Sequence, residues 1–143
     1  MDAICVRHVK DLEELQRYNI NEEKKLINNG KEANTKELKQ YVHDLNNEYK
    51  KFKDDLKKEL STKQLSSKER EERLKIGKER FSADIKLKEE NKRKELETRL
   101  TKELCMMKRK HFNIFHKKEY EFLSTVSYLI YFGLMLFLTL ITN

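Results

Sequence analysis

The chain has 143 residues with no Pro, three Gly and 40% charged side chains, against 37% hydrophobic ones. Much of that apolar material sits in the last twenty or so residues, so the remainder has too little to fill a compact core, and a rod is expected rather than a globule. Missing Pro and scarce Gly remove the usual helix breakers.

The net charge of +7 is unevenly placed. Residues 1–60 hold 13 basic and 13 acidic side chains, while residues 61–143 hold 19 and 12, which accounts for the whole excess. Mixed charges at this density usually form solvated helix faces. Glu13/Arg17, Glu32/Lys36, Asp54/Lys58, Glu71/Lys75, Glu90/Lys94 and Glu95/Arg99 all place the acid four residues before the base. Each such pair contributes roughly 0.2–0.5 kcal/mol to a helix. The first fifteen residues carry charges at Asp2, Arg7, Lys10, Asp11, Glu13 and Glu14, a composition unlike a secretory signal.

From the amino-terminal side, Ile4, Leu12, Leu15 and the pair Leu26/Ile27 form a weak apolar stripe. Gly30 and the neighbouring Asn28, Asn29 and Asn34 interrupt it, and a kink or fraying is expected there. The strongest period follows. Leu38, Val42, Leu45, Tyr49, Phe52 and Leu56 are spaced alternately four and three apart, the a/d seam of a coiled coil. Such a seam needs a partner helix, and self-association is expected. Parallel or antiparallel order is not readable from it.

Residues 61–67, STKQLSS, read as a hinge, because Ser and Thr hydroxyls compete with the helix for backbone groups. Ser66 followed by Glu69 is the pattern of a capping box opening the next helix. Beyond it the period changes. Leu74, Ile85, Leu96 and Met107 form a second seam eleven residues apart, with Phe81, Leu100 and Leu104 between them. An eleven-residue repeat is about 3.67 residues per turn and favours a nearly straight or slightly right-handed coil. Lysines stand at many inward positions, so this stretch either pairs weakly or stands as a single charged helix.

Residues 107–122 interleave basic and aromatic groups. A solvated face with a helix partner is the first reading of such a patch. A membrane surface is the second and nucleic acid the least favoured, since Glu119 and Glu121 dilute it. Residues 122–143 carry no charge at all. Leu123, Val126, Leu129, Leu134, Leu136, Leu138 and Ile141 mark a stretch long enough to cross a hydrocarbon layer of about 30 Å. Lys108, Arg109, Lys110, Lys117 and Lys118 precede it and would keep the rod on the cytosolic side. Two origins fit: a tail anchor, or read-through of AT-rich intron sequence after Thr125, where Val126-Ser127 can be encoded as a splice donor.

No catalytic or cofactor site is visible. The three glycines are far apart, and neither a His-Arg-Asp nor an Asp-Phe-Gly sequence occurs. His8, His43, His111 and His116 are scattered, so no metal site is expected; Cys5 and Cys105 have no CxxC spacing and read first as two free thiols, with an interchain disulfide in a parallel dimer as the alternative. No cofactor is expected, and the chain by itself is not expected to be an enzyme.

NEEKK from Asn21, KEL at 36–38, EYK at 48–50, DLKKEL at 55–60 and SSKEREERL from Ser66 occur in order around the Ser/Thr hinge. This series resembles the C-terminal coiled-coil region of the TAO (thousand-and-one amino acid) serine/threonine protein kinases. The likeness runs from about Asn21 to Leu74, and more loosely to His116. It implies a role in self-association, autoregulation or cytoskeletal contact within a kinase that feeds MAP-kinase cascades, with the ATP-binding domain elsewhere. Ser67 stands where the family tends to have Pro, and the family continues in charged helix where this chain turns apolar.

The expected fold is therefore all-α: long extended helices and coiled coil with a C-terminal apolar helix, a transmembrane candidate, and no globular domain. It divides into a coiled-coil helix at 1–60, a hinge at 61–67, a charged helix at 68–121 and an apolar tail at 122–143. Two functional classes fit: the non-catalytic regulatory segment of a TAO-like kinase, or a small tail-anchored tether unrelated to kinases. Expected partners are a second copy, other coiled-coil proteins and a membrane. The expected location is cytoplasmic, or membrane-anchored with the rod in the cytosol.

Overall fold

A computed structural model describes residues 2–142 as two helices, α1 (Asp2–Thr62) and α2 (Ser67–Thr142). No strand occurs among the described residues, and no non-glycine residue has a positive φ. The chain is all-α without a globular domain. Among the described residues, Leu45, Leu60, Leu96 and Asn19 are buried, four positions in seams rather than the filled interior of a globule.

Each helix boundary has a local cause. Thr62 and Ser61 turn their hydroxyls back onto the carbonyls of Glu59 and Lys58, and α1 stops there. The break spans Lys63–Ser66, narrower than the hinge expected at 61–67. Ser66 then caps α2 reciprocally. Its hydroxyl accepts from the Glu69 backbone N–H at 3.3 Å, and the Glu69 carboxylate accepts from the Ser66 backbone N–H at 2.9 Å. Ser66 Oγ also donates to Glu69 Oε2 at 2.7 Å. These hydrogen bonds hold the Glu69 carboxyl below its ordinary value.

Two sequence expectations change. Gly30 does not kink α1, which runs unbroken through it. Instead the missing side chain leaves room for Leu100 of α2 to settle against the backbone. The apolar tail is not a separate third helix either, because nothing between Ser67 and Thr142 interrupts the backbone ladder.

The described residues divide into two compact units, Asn28–Thr101 and Met1–Ile27 with Lys102–Asn143. In the first, α1 and α2 fold back on each other antiparallel around the turn. Phe52 stacks on Phe81 with ring centroids 4.5 Å apart, and Tyr49 lies 5.5 Å from the same ring. Gly77 sits under Leu56, so close that an added Cβ would come within 2.6 Å of the leucine methyl. In the second unit, Glu23 meets His111 while the earlier His8 meets the later Phe122, again an antiparallel register.

Leu96 is 2% exposed and Leu87 60%. Leu96→Ala should cost about 2–3 kcal/mol of unfolding free energy, whereas Leu87→Ala should be near neutral. Urea unfolding of the full chain in neutral micelles, followed by circular dichroism, checks the contrast.

Candidate functional site

The sequence offered side-chain stripes rather than a pocket, and the structure shows what each stripe touches. In the Asn28–Thr101 unit, Leu38, Val42, Tyr49, Phe52 and Leu56 are half-buried and Leu45 is buried. Leu74 and Ile85 are half-buried on the facing helix, with Leu96 buried. The first seam and most of the second thus meet within the same chain. Met107 is half-buried in the other unit.

Polar groups punctuate this seam. Asn34 donates through Nδ2 to the Leu96 carbonyl at 3.1 Å, reaching a backbone group of the facing helix. Next to it, Glu37 holds Lys92 at 3.0 Å and Arg99 at 2.7 Å. Arg99 also donates to the side-chain amide oxygen Oδ1 of Asn34 at 3.3 Å. The sequence paired Arg99 with Glu95 along one helix; in the structure Glu95 takes Lys92 and Arg99 crosses to α1. Local spacing could not reveal this, since the cross-helix partner depends on register. Hydrogen bonds from Arg99 and then Lys92 hold the Glu37 carboxyl below its ordinary value, and Glu37 and Glu95 hold the Lys92 ammonium above its own. A single polar cluster at a seam fixes which register is satisfied, because a slipped pairing would strand these groups.

In the other unit, Asn19 is buried in the seam, and His111 Nδ1 lies 3.1 Å from Glu23. His8 and Phe122 stack with ring centroids 3.8 Å apart and planes 2° from parallel. Neither histidine contact was read from the sequence. Cys5 and Cys105 are both free and exposed. Among the described residues, no three His, Cys, Asp or Glu side chains are placed to hold a metal ion.

Past Phe122 the pattern of burial ends. Val126 is half-buried, but Leu123, Leu129, Leu134, Leu136, Leu138 and Ile141 are between 49% and 64% exposed, and their apolar neighbours are exposed as well. This end of α2 is long and apolar enough to cross a membrane, and none of its apolar stretch is buried. Ile4, Val6 and Val9 of α1 are also about half exposed.

No protein-family model, curated protein or solved structure matches the chain.

The lowered Glu37 carboxyl contributes stability above its unfolded value of about 4.5 and loses it as pH falls through the folded value. Acidifying the full chain in neutral micelles from pH 6 to 3 should lower its thermal midpoint. Glu37→Gln should start lower and fall less. Equal slopes by circular dichroism would show that Glu37 is not linked to pairing.

Proposed function

We propose that the chain is a non-catalytic helical interaction module held at a membrane by the apolar end of α2, with its paired helices in the cytosol. The observation carrying this reading is the charge-free apolar stretch from Leu123 to Ile141, exposed at nearly every position and buried at none. At 1.5 Å per residue it is roughly 28 Å long, close to the thickness of a hydrocarbon layer. Left in water, these side chains would form an apolar surface much larger than soluble proteins tolerate. The basic run Lys108, Arg109, Lys110, Lys117 and Lys118 before it supports a cytosolic rod.

The interaction half of the proposal agrees with what the TAO-kinase resemblance implies: a segment for self-association and regulation, with phosphate transfer left to another domain. Its support is the ordered motif series and the long a/d seam. Since α2 of the same chain occupies the seam in the Asn28–Thr101 unit, self-association would proceed by exchange of that half between two copies, which preserves the same contacts. A chain cut before Phe122 should then sediment as a mixture of monomer and a slowly exchanging dimer at tens of micromolar. Strict monomer under all conditions rules out exchange.

A fluorescent fusion of the whole chain should locate to internal membranes and resist alkaline carbonate extraction. Removing residues 122–143 should release it to the cytosol. Fusions that are cytosolic in both forms contradict the anchor.

A further inference from the structure

The structure brings two segments together at the level where the apolar stretch begins. His8 of α1 lies flat on Phe122 of α2, and Leu123 follows directly in sequence. Around this stack, Ile4, Arg7, His8, Asp11, Lys118 and Phe122 line an open cleft of about 310 Å³. Its floor is aromatic and half-buried, whereas Arg7 and Lys118 are exposed cations. Asp11 supplies one anion at the same cleft.

We propose that this cleft binds the headgroup of an anionic phospholipid of the phosphatidylserine class, on the face of the membrane that α2 enters. The proposal rests on the membrane reading of residues 123–141. If that stretch inserts, Phe122 lies at the interface and the cleft opens at the depth of the headgroups. An aromatic ring suits that depth, being apolar in body and tolerant of polar surroundings. The charges match the headgroup. A phosphodiester and a carboxylate each carry one negative charge, and Arg7 and Lys118 offer two positive ones. The headgroup's ammonium carries one positive charge, and Asp11 offers the negative one. Arg7 presents a planar fork of donors that fits an oxyanion at two points, while Lys118 acts as a compact point charge. Ile4, about half exposed, adds an apolar edge to the cleft that can rest on the lipid interface.

A diffuse basic patch would attract any anionic lipid by charge alone, about 1 kcal/mol per basic residue near the surface. A built cleft differs in depending on which charges are present, not only how many. Both helices are needed to form it, since Arg7 and Asp11 come from α1 and Lys118 from α2. Pairing of the two segments and lipid binding should therefore support each other.

Native mass spectrometry of the full chain released from neutral micelles reads this binding without requiring insertion into a bilayer. Dioleoyl phosphatidylserine, phosphatidic acid and phosphatidylcholine are titrated separately. The wild-type chain should bind one phosphatidylserine about fivefold more tightly than phosphatidylcholine. In Arg7→Gln/Lys118→Gln that preference should fall to twofold or less. Lys10→Gln/Lys117→Gln removes the same charge from neighbouring exposed positions and should keep it. Asp11→Asn should erase the advantage of phosphatidylserine over phosphatidic acid. Circular dichroism confirms that all variants remain helical, as expected for glutamine or asparagine at exposed helix positions. The cleft is overturned if the first pair binds like wild type, if the charge-matched pair loses as much, or if phosphatidic acid binds as well as phosphatidylserine to the wild-type chain. Carbonate-resistant flotation with pure phosphatidylcholine vesicles reports insertion separately. A chain that floats but shows no headgroup preference sinks the cleft alone. One that shows the preference but fails to float sinks the anchor alone.

Discussion

Narrow apolar stripes on charged helices pose a burial problem that a single helix cannot solve. Each helix here is amphipathic over only one row of side chains, and that row must find another row. In the Asn28–Thr101 unit the rows of α1 and α2 cover one another, with Leu45, Leu60 and Leu96 as the deepest points. Everything else in that unit follows from this contact: the antiparallel direction, the short turn, and the placement of Phe81 between Tyr49 and Phe52. With so few fully buried residues, the stabilisation depends on each seam position more than in a globular core of similar length, where neighbours compensate for a loss.

Thin hydrophobic seams discriminate poorly between registers, and the polar contacts supply what they lack. The Asn34 amide on the Leu96 carbonyl, and Glu37 shared between Lys92 and Arg99, are satisfied in one alignment. These are partly exposed pairs, so their net contribution to stability is small. Their value is in selection: a shift by one turn takes Glu37 away from Lys92 and Arg99 and the Asn34 amide away from the Leu96 carbonyl.

The heptad row from Leu38 to Leu56 and the eleven-residue row from Leu74 to Met107 were legible because periodicity records which face is buried. The Ser66–Glu69 cap was legible because capping is a three-residue affair. What covers the faces was not, since a seam of this kind fits a facing helix of the same chain or of another. The glycines were misread for a related reason. Gly30 looked like a weak point in α1, and Gly77 drew no attention, yet both lie under leucines of the facing helix. A missing side chain has meaning only once its neighbour is known. His8 against Phe122 and Glu23 against His111 escaped detection on the same ground, being far apart in sequence and adjacent only after pairing.

The four-residue break at Lys63–Ser66 has a consequence for the order of events during folding. Contacts beside the turn, such as those around Leu60 and Leu74, close a loop of about a dozen residues, while the Asn34–Leu96 contact closes one more than sixty residues long. Loop-closure entropy rises with the logarithm of length, so the inner contacts form at the lowest cost and each new pair shortens the loop that the next must close. The unit thus closes like a zipper from the turn outward. Pulled apart at its open end, it would come undone in the reverse sequence, with the Gly30–Leu100 contact and then the cluster at Glu37 parting first and the capped turn giving way last.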